Sequence, residues 1–234
     1  MIPKSKRKLT RYHANGRTEI CDETRSPWDK PKLRIDLGCG PNTKEGFEGA
    51  DQYSFDGKVK HVVNLVGQKS RSILDDSFGA FEFKRWPWAD GSVTEAHSSH
   101  FVEHLTGIER VHFWNELYRV LKPNLKENGV NVEGFATIVV PHWASCRAYG
   151  DPTHAWPPVS EFSFYYLDRD WRAANAPHTD AKNWPLGLNC HLEAVWGYSM
   201  HPAIQTRNQE YQQHAMGFWK EACQDIICTV CRKD

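Results

Sequence analysis

The chain has 234 residues and carries 29 Lys plus Arg against 29 Asp plus Glu, so no net charge draws it toward nucleic acid or a membrane surface. That length suits one α/β domain with insertions. No apolar run approaches a membrane span, and no apolar signal core follows the opening M-I-P-K-S-K-R-K. Seven cysteines, an odd number without framework spacing, favour reduced thiols and a cytoplasmic setting.

Residues 1–32 read as a basic N-terminal arm. With Arg34 they hold ten Lys or Arg against Glu19, Asp22, Glu23 and Asp29. The arm is either loosely packed or able to close over a site or touch a polyanion. From Leu33 the pattern turns regular. Strands are expected at 33–37, 47–51, 61–65, 94–98 and 135–140, alternating with polar or helical stretches as in a mostly parallel sheet. A helix is expected from about Gly107 to Leu121. Thr106 and Glu109 would cap it, Ile108, Val111, Trp114, Leu117 and Leu121 would form its apolar face, and Pro123 would stop it. Residues 125–133 read as a surface insertion. Residues 142–188 are loop-rich and aromatic. A strand near 191–198, a helix near 209–222 and a last strand through Asp225–Cys231 close the chain, the two strands forming a hairpin-like pair.

The stretch L-R-I-D-L-G-C-G, 33–40, has the form of a buried strand entering a glycine turn, where bare backbone can approach a nucleotide closely. A dinucleotide site normally carries a third glycine, and none stands in register here. The next strand ends in an acid, Asp51, only eleven residues after Gly40, and an acid there can accept hydrogen bonds from both ribose hydroxyls. The pattern favours a nucleoside ligand without pyrophosphate.

The ordered series D-L-G-C-G-P-N, G-A-D, H-V-V-N-L, W-P-W-A-D-G-S-V, H-F-V-E-H-L, L-Y-R-V-L-K-P and F-A-T-I-V-V-P resembles the class I S-adenosylmethionine-dependent methyltransferases, most nearly the type-11-like group, over about residues 33–141. The resemblance implies a Rossmann-like α/β fold. Its central, mostly parallel seven-stranded sheet would carry helices on both faces and an antiparallel C-terminal strand. Residues 33–234 would form the methyltransferase domain, with an acceptor lid at about 142–188. It also implies S-adenosyl-L-methionine as cofactor. Asp36, Gly38, Cys39 and Gly40 would form the turn beneath it, Asp51 and Gln52 would hold the ribose, Asn64 and Leu65 would lie near the adenine, and Ser98, Ser99 and His100 would edge the site where the acceptor meets the methyl group. Asn64 stands where the family commonly has an aspartate. Glu103 and His104 fall in the family's E-H-L element, read as helix entry or packing at least as readily as catalysis. Trp86 and Trp88 are open between the adenine face and the core.

Methyl transfer mainly requires alignment, and a base only where the acceptor must lose a proton. His154, His142 and Asp151, around G-D-P-T-H, are the candidates for that base. The aromatics from Trp143 to Trp184 are either a satellite core or a platform for a flat or sugar-like acceptor. Charges in the lid balance, so a small-molecule or nucleotide acceptor is expected. A nucleic-acid methyltransferase using the basic arm and a non-catalytic adenosylmethionine-binding protein are the alternatives. No D/N-P-P-Y/F element is present. No metal site is expected, because Cys228 and Cys231 would point to opposite faces of a strand. The acceptor and the oligomeric state are not set by the sequence.

Overall fold

A computed structural model describes residues 9–13, 18–21, 33–69, 81–123, 125–127, 130–132, 134–177 and 187–233. Strands β1 (Leu9–His13) and β2 (Thr18–Cys21) precede β3 (Arg34–Leu37), β4 (Glu48–Asp51) and β5 (His61–Val62). A small separate sheet, β6 (Gln68–Lys69) with β7 (Phe81–Glu82), comes before β8 (Glu95–Ser99). Helix α1 (Gly107–Val120), the hairpin β9 (Leu125–Glu127) and β10 (Val130–Val132), and β11 (Phe135–Pro141) follow. The 142–188 region holds three short helices, α2 (Arg147–Gly150), α3 (Glu161–Tyr165) and α4 (Arg169–Asn175). The chain then runs through β12 (Leu192–Met200), α5 (Pro202–Gln205), α6 (Gln209–Phe218) and β13 (Cys223–Arg232).

The main sheet has the order β2-β1-β12-β13-β11-β8-β3-β4-β5. Its seven-stranded centre pairs β5, β4, β3, β8 and β11 in parallel, with β13 antiparallel between β11 and β12. This is the sheet that the resemblance implies. Two further strands from the basic arm extend it: β1 lies antiparallel to β12, with Tyr12 opposite Trp196. The chain steps outward from β3 to β4 and β5, then returns to β8 on the other side of β3. The strand order therefore reverses between β3 and β8, and a ligand crevice opens at the carboxyl ends of strands at such a reversal.

Helix α1 forms as its sequence dictates. The Thr106 backbone N–H and hydroxyl both donate to the Glu109 carboxylate, at 2.8 and 2.7 Å. Its buried face turns slightly from the expected stripe: Phe113, Leu117 and Val120 are sealed, whereas Ile108 and Val111 are half-buried. Phe113 meets Trp86 edge-on, and Trp86 is 2% exposed with its indole N–H donated to the Leu65 carbonyl. Trp88 packs edge-on against Trp86 in the same core, so both tryptophans belong to the interior and neither offers a face to adenine.

The glycine turn does not open into a helix. Residues 38–47 run as turns and loop from β3 straight to β4, a connection shorter than the dozen or so residues a helical crossover requires. The Lys44 N–H instead donates to the Asp36 carboxylate at 2.7 Å, pinning the loop to the strand that launched it.

Candidate active site

The cofactor side is built from backbone. Gly38 and Gly40 adopt φ of +67° and +56°, the left-handed region that favours glycine. Gly38 has a second constraint, since a Cβ there would sit 2.3 Å from the Phe101 ring. The turn is sewn to β4: the Gly38 N–H donates to the Ala50 carbonyl at 2.8 Å and the Gly40 N–H to the Asp51 carboxylate at 3.0 Å. The other Asp51 oxygen accepts the Tyr53 N–H at 3.1 Å. Both contacts hold the carboxylate at the rim of β4, and each oxygen keeps a lone pair for a hydroxyl.

Several residues assigned to the cofactor by resemblance also have partners within the protein. Asp36 is 3% exposed, and besides Lys44 it meets His97 Nδ1 at 2.7 Å, so it anchors the turn from below. The sequence reading missed His97; its register partner across β3 and β8 is Asp36. The carbonyl oxygen of Asn64 accepts the N–H groups of Val66 and Gly67, each at 3.0 Å, and its amide donates to the Gly67 carbonyl. That oxygen has no lone pair left for an adenine amino group. Leu65 is buried in the core, and Gln52 lies exposed beside Asp51. Burial raises the Cys39 thiol above its ordinary range, with Thr43 partly opposing it by a hydrogen bond.

The acceptor side is built from side chains converging on the carboxyl ends of β8 and β11. Ser98 is fully buried, and its hydroxyl has no hydrogen-bond partner among the described residues. Ser99 is half-buried at the strand's last position. His100 follows in a left-handed conformation, φ +53°. Its side chain is 45% exposed, with Nδ1 3.1 Å from the buried carboxylate of Glu103. The Glu103 hydrogen bond raises the His100 pKa against the opposing effect of burial. Asp225, at the start of β13, lies 3.9 Å from His100 Nε2 and pairs with Arg147 at 3.1 Å.

The three residues expected to supply a base have different fates. His142 is sealed at 2% exposure: Nδ1 accepts the Ala144 N–H, and Nε2 faces Glu161 at 3.2 Å. Both nitrogens are thus engaged in the interior, where His142 ties the start of the 142–188 region to Glu161. Asp151 is capped by Thr153, whose hydroxyl bond is the main cause of its lowered pKa, and such a carboxylate is a weak base at neutral pH. His154 lies near His104, with the two rings 4.7 Å apart. Arg110 places it there: its guanidinium donates to the carbonyls of Ala155 and Pro157 while also reaching Val102 and Glu103. The sequence reading did not single out His100 as a base: Glu103, three residues on, reads as helix entry or packing, and Asp225 becomes a neighbour only in the fold.

The aromatic region divides. Phe164 and Leu167 are buried in the main core together with Trp196, and Tyr165 stacks on Trp171 and meets Trp196 edge-on, so this part packs onto the central core and is not a separate satellite. Trp143, Tyr149, Trp156 and Phe162 remain exposed. Trp143 and Tyr149 line one wall of a cleft of about 500 Å³ that Met216, Phe218 and Trp219 close from the other side. Trp184 lies outside the described residues. On β13, burial raises the thiols of Cys223, to about 12, and of Cys228.

No family model and no curated protein matches the sequence. Among solved structures the chain is similar to a SAM-dependent methyltransferase from Archaeoglobus fulgidus, at 16% identity over 86% of each chain and a TM-score of 0.50. It is also similar to the methyltransferase in a complex with the Haloferax volcanii Trm112 activator, at 14% identity over 90% of this chain and 86% of that one, TM-score 0.45. A third is the 1,6-didemethyltoxoflavin-N1-methyltransferase of Burkholderia thailandensis, 10% identical over 86% and 71% of the two chains, TM-score 0.43. No helix among the described residues is long and apolar enough to cross a membrane. By its strand order and by the first of these likenesses, the chain has the class I S-adenosylmethionine-dependent methyltransferase fold.

Proposed function

We propose that the protein is an S-adenosyl-L-methionine-dependent methyltransferase acting on a small-molecule or nucleotide-type acceptor. The observation that carries this reading is the crevice at the β3–β8 reversal. On one side stand two left-handed glycines tied to Asp51. On the other, His100 projects from the end of β8 with a buried carboxylate behind it. The glycine turn gives the methionine and ribose portions of the cofactor a side-chain-free approach. Asp51 accepts hydrogen bonds from the ribose hydroxyls. Asp36 and His97 keep the turn rigid from beneath, and Ser98 and Ser99 form the floor between cofactor and acceptor.

Transfer from a sulfonium is an in-line displacement, and the chain's task is to hold nucleophile, methyl and sulfur in line. His100 takes the acceptor's proton where the acceptor is protonated. Glu103 fixes its ring by accepting a hydrogen bond from Nδ1–H, which leaves Nε2 as the atom that meets the acceptor. The exposed aromatics Trp143 and Tyr149, next after β11, supply a flat apolar wall for the acceptor. Free thiols at Cys39, Cys146 and Cys190 fit a cytoplasmic enzyme. The test is an acceptor screen with radiolabelled methyl donor over nucleotides, metabolite extract and nucleic acids. Label entering the small-molecule fraction supports the reading. Label entering nucleic acid alone overturns the acceptor class.

A further inference from the structure

We propose that Glu103, His104 and His154 form a binding site for a first-row divalent transition-metal ion. One ligand atom from each residue lies within 4.8 Å of the other two. The sequence conceals this set, because His154 follows α1 and β11 and reaches His104 only when its loop folds back onto the turn after β8.

Three observations make this cluster more than a chance grouping. Glu103 is 3% exposed, and its Oε2 is buried without a hydrogen-bond partner among the described residues. A buried carboxylate oxygen left in that state is costly, and a cation would satisfy it. Both imidazoles are also held by Nδ1. That atom of His154 faces the Ala148 carbonyl at 3.2 Å, and a carbonyl only accepts, so Nδ1 carries the proton. Nδ1 of His104 lies 3.0 Å from the Thr153 hydroxyl, whose own hydrogen is given to the Asp151 carboxylate at 2.6 Å, so this Nδ1 is a donor too. In each ring Nε2 is then left with its lone pair. A histidine whose Nδ1–H is fixed by an oxygen is the usual supporting arrangement for a metal ligand. Finally, the loop is fastened: Arg110 holds the Ala155 and Pro157 carbonyls, and the Ala155 N–H donates to the Glu103 carbonyl at 2.8 Å.

Two neutral imidazoles and one carboxylate suit Zn²⁺, Fe²⁺, Mn²⁺ or Co²⁺. Mg²⁺ and Ca²⁺ prefer oxygen alone. Three protein ligands leave coordination positions open, as in sites that polarise a bound oxygen or nitrogen. Glu103 also holds His100, so an ion here would lie one residue behind the proposed acceptor edge.

The experiment is a titration of the chelator-treated full chain with Co²⁺, without adenosylmethionine, read by visible absorption and thermal melting. The expected result is one saturable site with d–d bands, displaced by Zn²⁺, and a melting temperature that rises with Co²⁺. Glu103→Gln and His154→Asn are each expected to weaken binding more than tenfold. His191→Asn, at the other cluster with Asp168 and Asp170, leaves it unchanged. Absence of a saturable site in the wild type overturns the proposal. So does binding that survives in His154→Asn or disappears in His191→Asn. Asp51→Ala is expected to retain the Co²⁺ bands, so this site and the cofactor assignment stand or fall separately.

Discussion

The two sides of the crevice are made in opposite ways. On the cofactor side, between Asp36 and Asn64, the working groups are backbone and carboxylates tied mostly by contacts over short stretches of chain, Gly40 to Asp51, Lys44 to Asp36 and Val66 to Asn64, with His97 reaching Asp36 from β8. On the acceptor side, apart from Glu103 three residues on from His100, the partners come from distant segments. Glu103 stands behind His100, Asp225 faces it from the last strand, and Thr153 meets His104. A side built from local contacts tolerates change elsewhere and fails when its backbone is altered. A side built by convergence depends on individual side chains, and on the loops that bring them in.

The largest expected effect lies on the acceptor side. His100→Ala should lower kcat on an acceptor from the screen by about 10²–10⁴-fold, the usual range for a positioned base, while adenosylmethionine affinity measured by calorimetry stays the same. A parallel loss of cofactor affinity would move His100 to the other half.

Next come the two glycines, which separate crowding from backbone strain. Gly38→Ala places a Cβ against Phe101 at a left-handed φ, and should cost about 2–4 kcal/mol in denaturant unfolding. Gly40→Ala meets nothing within 4 Å and should cost only about 1 kcal/mol, from backbone strain alone. Equal losses would show that the Phe101 contact yields freely.

Asp51→Ala should weaken adenosylmethionine by about 1.5–3 kcal/mol, the scale of hydrogen bonds to a charged group. Part of that loss arises because the Gly40 N–H is released. An unchanged affinity removes Asp51 from the ribose.

The smallest effect concerns the lid. Burial pushes the Glu161 carboxyl up, but hydrogen bonds from His142 and Tyr198 outweigh it and hold the pKa below the usual range. A pKa depressed in the folded state contributes stability that is present above the unfolded value and lost as pH falls through the folded one. Glu161→Gln should therefore flatten the acid limb of the stability–pH curve, read from melting temperatures between neutral and strongly acidic pH. An acid limb identical to wild type would show that the His142–Glu161–Tyr198 cluster is not coupled to folding.

The same contrast explains what was legible in the sequence. The strands, the Thr106–Glu109 cap and the antiparallel final pair are local patterns that appear where periodicity or capping chemistry sets them, although the strand expected at 61–65 keeps only His61–Val62. The two-glycine turn was equally readable. No helix follows it: the 38–47 connection is short and is drawn back to Asp36 by the Lys44 N–H, a contact that composition does not encode. The roles of Asp36 and Asn64 follow from partners across a strand or within a loop, and residue type alone could not distinguish a ligand contact from an anchor. His142 and His154 look alike in sequence. The fold seals one against Glu161 and sets the other beside His104.

The most direct test of the central claim is calorimetric titration of the folded full chain with S-adenosylmethionine and S-adenosylhomocysteine. The account predicts binding of both at one site per chain, weakened by Asp51→Ala. A folded protein that binds neither would contradict it.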